Sequence, residues 1–401
     1  MFLRIIEPLV EEAFKNFPVV LITGARRVGK STLVMKLFDN YITFDDITTY
    51  LSAKEDPISF IRSLKKPVII DEVQRVPEVL LTIKQDVDLT RKKGSYVLTG
   101  SASILGFKNL ADTLAGRMAI LELFPLTCKE INGKAEDILE ILFKEKFKKE
   151  PTRIDEDLLI ERILTGGYPE VNNMDSIKGR YIWFSSYITT YIERDVRDIG
   201  ELRNMDKFFK VLNLLASRSS GILKKTDIAK GSGTDIKTLD NYLKLLELVY
   251  IVHFLKPYSE NIGKRFVKSG KVFFIDSGML PYLLGVLTPE EFLNSPYKGI
   301  IFETFVFSEL LKALKYSFIP TELYFYRTQE GKEIDFIVKR GEKLLAIEVK
   351  FSKTVSKRDF KHISDFQSAS KQKVKGFVIY TGERILPFGE GLYAIPISLF
   401  F

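Results

Sequence analysis

Gly24-Ala25-Arg26-Arg27-Val28-Gly29-Lys30-Ser31 is the stretch that decides how this 401-residue sequence is read. It fits the pattern G-x-x-x-x-G-K-[ST], a phosphate-binding loop. Pro18-Val19-Val20-Leu21-Ile22-Thr23 precedes it, apolar on both faces, which predicts a buried parallel strand. Thr32-Leu33-Val34-Met35-Lys36-Leu37-Phe38 follows and predicts a helix. Strand, loop and helix in that order are the context the motif requires; without them the match would be a chance Gly-rich turn. Gly24 and Gly29 let the backbone turn sharply, so that successive N–H groups converge on a phosphate. The residues that would form the cradle are Gly24, Ala25, Arg26, Arg27, Val28, Gly29, Lys30, Ser31 and Thr32. The helix adds its positive dipole end. Lys30 would reach the outer phosphates, and the Ser31 hydroxyl is the expected Mg²⁺ ligand.

Downstream, Tyr41-Ile42-Thr43-Phe44-Asp45-Asp46 reads as a strand, and Pro67-Val68-Ile69-Ile70-Asp71-Glu72 as an apolar run ending in two acids. An acid at a strand's C-terminal end can hold Mg²⁺, and the next can polarise an attacking water. Asp71 is assigned to the metal and Glu72 to the base; the alternative is a pair of solvated loop acids. Ser95-Tyr96-Val97-Leu98-Thr99-Gly100-Ser101 is another buried strand, whose hydroxyls, Thr99 among them, could sense the terminal phosphate. Arg117, just before the strand Met118 to Leu123, is a candidate arginine finger, or else a salt-bridged surface residue. One full strand lies between the phosphate-loop strand and the Asp71-Glu72 strand, which argues for an additional-strand ATPase. Nothing resembles an Asn-Lys-x-Asp guanine-reading loop, so ATP is expected over GTP.

At about 150 residues per domain, the length suggests two to four domains. Hydrophobic residues make up 45%, enough for several cores, and net charge is +8 with a pI near 9.1, which favours an acidic partner such as nucleic acid. Cys128 is the sole cysteine, so no intrachain disulfide forms and a reducing, cytoplasmic setting is expected. One Cys and two His argue against a protein-held zinc site. No run of about 18 apolar residues exists, so no membrane span or membrane partner is expected. The first residues lack the features of a signal peptide.

Residues 1 to about 128 thus read as the nucleotide-binding domain and 129–200 as a helical lid or connector. That second region is expected to be helical from Glu130 to Lys149, at Leu158 to Leu164, and from Ile182 to Val196. Residues 201–290 read as a winged helix-turn-helix. Its helices are Asp206 to Ala216, a short one from a Thr226 cap through Lys230, and Asp235 to Glu247, with a Gly231-Ser232-Gly233 turn. Tyr250 to Leu255 and Lys271 to Asp276 supply the wing. Residues 201–280 hold 14 Lys and Arg against 8 Asp and Glu, most of the chain's excess. That favours phosphate-backbone binding, with Lys237, Lys244, Lys264, Arg265 and Lys268 as candidate DNA contacts. The alternative is a winged helix that docks protein.

Residues 297–401 read as a restriction-endonuclease-like α/β domain. A helix from Ile301 to Leu314 carries Glu303; the strand Glu333 to Val338 carries Asp335; the strand Leu344 to Lys350 carries Glu348 and Lys350 on one face. Two acids and a lysine that converge can hold Mg²⁺ and activate water for phosphodiester attack. The order matches D…E-x-K; a salt-bridged hairpin or an inactive relic fits it too.

Taken together, the chain resembles the prokaryotic AAA-superfamily P-loop ATPases that carry a C-terminal domain of unknown function with a nuclease-like end. The residues that carry the resemblance are Gly24 to Thr32, Leu51 to Pro57 more loosely, Val68 to Gln74, Leu98 to Ser101, Leu114 to Arg117, Phe124 to Leu126, Gly166 to Pro169, Tyr191 to Asp198, Lys264-Arg265, Phe274 to Gly278, Arg327, Glu333 to Phe336 and Ile347 to Lys350. Ser31 stands where many members carry Thr, which is equivalent toward Mg²⁺. The resemblance implies ATP binding and hydrolysis with Mg²⁺. The expected function is an ATP-hydrolysing, DNA-binding switch with a nuclease-like end, possible as a homo-oligomer. The alternative is a signalling or scaffold ATPase that binds protein partners.

Overall fold

The computed structural model describes residues 1–100, 114–145, 147, 153–192, 196, 204–259 and 269–401. Helix α1 (Glu7–Asn16) leads into β1 (Val19–Thr23), then α2 (Lys30–Leu37), β2 (Tyr41–Thr43), α3 (Ile47–Glu55), α4 (Pro57–Ser63), β3 (Val68–Asp71), α5 (Val79–Thr90), β4 (Tyr96–Thr99) and β5 (Met118–Glu122). Every residue of β1, β3 and β4 is buried, as strands covered on both faces must be. The five strands form one parallel sheet ordered β2-β3-β4-β1-β5. The strand inserted between the phosphate-loop strand and the acid-bearing strand is therefore β4; β2, which lies between them in sequence, takes the sheet edge.

The next region is helical, with different boundaries from those expected. The single helix expected from Glu130 is interrupted. α6 (Cys128–Ile131) ends at Asn132, Gly133 follows at φ +68°, and Asp137 caps a fresh start, α7 (Ile138–Lys144), by accepting from Leu139 N at 2.8 Å. α8 (Glu156–Thr165), α9 (Pro169–Asn172) and α10 (Ile177–Ser186) follow, and α10 continues as a π-helix over Tyr187–Ile192. Phe184 and Tyr187 are buried, and Tyr181 is exposed.

Three helices come next, α11 (Met205–Ala216), α12 (Lys225–Ser232) and α13 (Ile236–Leu248), followed by an antiparallel pair, β6 (Val252–Leu255) and β7 (Lys271–Phe274). α12 starts one residue before Thr226 and has no side-chain cap; Gly231 and Ser232 belong to it, and only Gly233, at φ +68°, makes the turn. Asp235 caps α13 through Thr238 N at 2.8 Å.

After α14 (Met279–Leu283) and α15 (Pro289–Asn294), the long helix α16 (Lys298–Tyr316) runs into a second sheet. Its strands are β8 (Glu322–Arg327), β9 (Glu333–Arg340), β10 (Lys343–Lys350), β11 (Lys373–Tyr380), β12 (Leu386–Gly389) and β13 (Leu392–Pro396), with α17 (Lys361–Ala369) between β10 and β11. The order is β12-β13-β11-β10-β9-β8, with β10, β11 and β13 parallel and the outer pairings antiparallel. One hydrophobic cluster draws on residues from Ile6 to Phe401 and includes side chains from both larger sheets and the helices between. Among the described residues no helix is long and apolar enough to cross a membrane.

Candidate functional site

The loop between β1 and α2 is built where parallel strands end, the usual position for a ligand in an open α/β sheet. Gly24 has φ +145°, and a Cβ on it would overlap the carbonyl oxygen of Leu123, so only glycine fits. Gly29, at φ +94°, is the N-cap of α2, and Lys30 and Ser31 open that helix. Lys30 is 7% exposed, and its Nζ donates to the carbonyls of Gly24 (3.1 Å) and Ala25 (2.8 Å). The ammonium is thus held under the loop it would serve. Thr32 faces outward, and Arg27, at φ +62°, donates to Glu170 Oε1 at 2.9 Å.

The two acids and the hydroxyl fall beside this loop. Asp71 closes β3 and is 4% exposed; it accepts from the Tyr41 hydroxyl at 2.6 Å and from the Thr99 hydroxyl at the end of β4. Glu72 follows in the left-handed region, at φ +55°, and its carboxylate accepts from Gln74. Burial pushes the Glu72 carboxyl above the usual range, against the pull of Lys30 and Arg26. A non-glycine residue held at positive φ beside a charged cradle is the kind of strain that collects at working sites. Beyond Gly29 and Thr32 lies a cavity of about 230 Å³ that Phe2, Leu33 and Pro169 help to line.

Arg117 lies elsewhere. Its carbonyl accepts from Val19 N at the start of β1, and its guanidinium pairs with Asp88 of α5. All strands of the sheet are parallel, so a residue that precedes β5 stands at the end opposite the loop. That distance excludes Arg117 from acting on a nucleotide held by its own chain.

The four C-terminal candidates are brought together, with one addition. Asp335 Oδ2 accepts from Val349 N at 2.8 Å; burial raises the carboxyl pKa of Glu303, Asp335 and Glu348, Asp335 raises those of Glu303 and Glu348 further, and Glu303 adds to that of Glu348. Lys350 acts on Asp335 and Glu348 as a nearby positive charge. Into the same cluster β7 sends Lys271, which is 2% exposed and sits 2.6 Å from Glu333 and 3.3 Å from Glu303. Arg327 reaches Glu333 from the other side at 3.0 Å. Among the described residues no group of three or more metal-ligating side chains is disposed to hold a metal ion. Lys271 sets a protein ammonium beside Glu303, one of the converging carboxylates.

Burial and the neighbouring carboxylate push Glu303 up to about 8 and Glu348 up to about 9. Between the ordinary carboxylate range and those values, the folded chain holds protons that the unfolded chain has released. Stability should therefore fall as pH rises through that window. Glu348→Gln, neutral at every pH, should flatten this decline in melting temperature from pH 5 to pH 9. A decline as steep as that of the wild type would refute the assignment.

Lys237 and Lys244 are both exposed on α13, and Lys244 borders a groove shared with Glu247 and His253. Lys264, Arg265 and Lys268 lie outside the described residues, as do Ser101 and residues 193–195, 197 and 198 of the Tyr191 to Asp198 patch.

Three polar residues that sequence patterns did not single out hold these parts together. Arg4 packs behind the loop. Lys271 leads an apolar run with no local partner. Asp276, inside the Phe274 to Gly278 stretch, is 3% exposed and accepts from Gly167 N (2.7 Å), Gly278 N (3.0 Å) and Met279 N (3.1 Å). Gly167 in turn accepts from Leu126 N at 2.7 Å, which joins the exit of the first sheet to the central helices.

Residues 16–132 match the family model described as an AAA domain. Residues 156–290 and 298–400 match two models each described as a domain of unknown function, the second being DUF4143. The chain thus joins an AAA-type P-loop ATPase domain to a C-terminal DUF4143 domain. It is 27% identical over 394 residues to an uncharacterized protein of Mycobacterium tuberculosis, covering 96% of this chain and 82% of that one. It is also 27% identical over 368 residues to an uncharacterized protein of Methanocaldococcus jannaschii, covering 86% and 77%. Among solved structures, a DNA replication initiation factor aligns over 61% of this chain and 86% of its own at 13% identity and TM-score 0.27. A signal transduction ATPase with numerous domains from Pyrococcus horikoshii aligns over 77% and 47% at 16% identity and TM-score 0.24.

Proposed function

We propose that the chain binds and hydrolyses ATP at the N-terminal site, and that its central and C-terminal parts respond to the nucleotide while holding nucleic acid. The observation that carries the first part is the meeting of Asp71, Glu72 and Thr99 with Lys30 at the C-terminal end of the parallel strands. Lys30 would leave the Gly24 and Ala25 carbonyls for the outer phosphates. Ser31 and Asp71 would hold Mg²⁺, which, when bound, offsets the charge of the phosphate oxygens. Glu72, raised toward neutrality, would take the proton of the attacking water. Thr99, bonded to Asp71, keeps that carboxylate oriented. The cavity beside Gly29 offers an apolar seat for the base. Lys30→Ala in the full chain should remove hydrolysis; activity retained at wild-type rate would refute this reading.

For the second part, α11 to α13 with the β6–β7 pair are read as a winged helix, with Lys237 and Lys244 as backbone contacts. Affinity of the full chain for duplex DNA should fall steeply as salt rises, and more weakly in the Lys237→Glu/Lys244→Glu variant. Binding that ignores salt would favour a protein partner instead. The C-terminal sheet is read as restriction-endonuclease-like in arrangement and silent in cutting as it stands, because Lys271 already occupies Glu303 and Glu333. That observation favours the second reading, in which the nuclease-like part is a docking or signalling module. Plasmid nicking by the wild type that is lost in Asp335→Ala would overturn the silent reading.

A further inference from the structure

Arg4 is 7% exposed, and each of the three nitrogens of its guanidinium donates a hydrogen bond. Nη1 donates to the Val28 carbonyl at 2.8 Å, Nη2 to the Phe124 carbonyl at 2.7 Å, and Nε to Glu130 Oε1 at 3.1 Å. Glu130 is 1% exposed and also accepts from Ile5 N (2.8 Å) and Thr127 N (2.8 Å), so the acid that balances Arg4 is itself fixed. In a trans peptide the carbonyl and the following N–H point in opposite directions. With the Val28 carbonyl held against Arg4, the Gly29 N–H points away from it. The Phe124 contact secures the loop's other wall. Phe124 N donates to the Tyr316 hydroxyl at 2.9 Å, Leu123 N donates to Thr23 O at 2.8 Å, and the Leu123 carbonyl fills the space beside Gly24. One side chain therefore grips the last peptide of the loop and the strand exit that confines its first glycine.

We propose that Arg4 is a positioning residue for nucleotide binding: it fixes the Val28–Gly29 peptide so that the Gly29 N–H is presented to a phosphate before one arrives. The inference rests on the reading of the N-terminal site as an ATP site. A preset donor needs no reorganisation on binding, and it serves substrate and transition state alike. Its loss should therefore appear in KM rather than in kcat. Lysine keeps the charge beside Glu130, but its three donors radiate from one nitrogen, so it cannot span the partners that Arg4 reaches from three nitrogens.

The test compares full-length wild type, Arg4→Met and Arg4→Lys for ATP KM, kcat and melting temperature, with assays run well below melting. KM should rise at least about tenfold in Arg4→Met with kcat within about threefold, and by a smaller factor in Arg4→Lys. A lowered melting temperature with KM unchanged would assign Arg4 a purely structural role and overturn the proposal. Should Arg4→Met fail to fold, Arg4→Lys decides alone, and an unchanged KM there overturns it equally. If calorimetry detects no ATP uptake by the wild type, the N-terminal reading fails; if wild type and Arg4→Met bind ATP equally, only this inference fails.

Discussion

Glu72→Gln is expected to slow ATP hydrolysis by a factor of about 10² to 10⁴ while ATP affinity stays within a few-fold of wild type. The substitution keeps the size of the side chain and its contact with Gln74 but removes the basic oxygen. Burial holds the Glu72 carboxyl above its ordinary range, which brings its basicity closer to what abstraction of a proton from water requires. Asp71 and Thr99 remain bonded to each other in the variant, so the metal-side geometry should persist. Phosphate release measured beside binding of a fluorescent ATP analogue separates the two effects. Equal loss of binding and turnover would make Glu72 a structural residue, and undiminished turnover would remove it from the chemistry.

The second large effect is expected at Asp276, far from that chemistry in sequence. Asp276→Ala leaves the N–H groups of Gly167, Gly278 and Met279 without their acceptor in a buried position. Neighbouring space is already filled: a Cβ on Gly166 would overlap the Asp276 carboxylate, and one on Gly278 would come 2.6 Å from the Thr165 carbonyl. The strand-to-helix turn after β7 and the Gly166 to Pro169 turn therefore cannot spread to readmit water without parting. A cost of about 3–5 kcal/mol is expected, since each buried N–H left without an acceptor costs about 1–3 kcal/mol. The urea midpoint of Asp276→Ala should drop accordingly. Asp276→Asn should drop it less, because one carbonyl oxygen remains to accept. A midpoint unchanged in the alanine variant would show that these N–H groups find other partners.

What the sequence made legible follows from how local each signal is. The loop at Gly24 and the acids after β3 are contiguous motifs set in apolar strands, and both neighbours, strand before and helix after, are read from adjacent residues. Glu303, Asp335, Glu348 and Lys350 were legible as a group because strand alternation puts Glu348 and Lys350 on one face and β9 is the hairpin neighbour of β10. Lys271 was not, because it reaches that cluster from β7 and no period relates it to its partners. Arg4 and Glu130 are separated by 126 residues, so their pairing has no local signature either. Arg117 was half legible: its place before a strand was visible, but only the parallel sheet shows that place to be the far end from the loop, where the guanidinium pairs with Asp88 and could reach only a neighbouring chain's nucleotide. Helix starts at α7 and α12 shifted because Asp137 reopens a helix that Gly133 had closed, whereas Thr226 offers a cap that the backbone does not use.

The hydrophobic cluster that extends from Ile6 to Phe401 has a practical outcome for anyone who wishes to take the molecule apart. A fragment cut at any of the apparent module boundaries would bare a face that the remainder normally covers, and would be expected to aggregate rather than report the behaviour of an isolated module. A single nick in an exposed turn should leave the two pieces comigrating on a sizing column, parting only in denaturant.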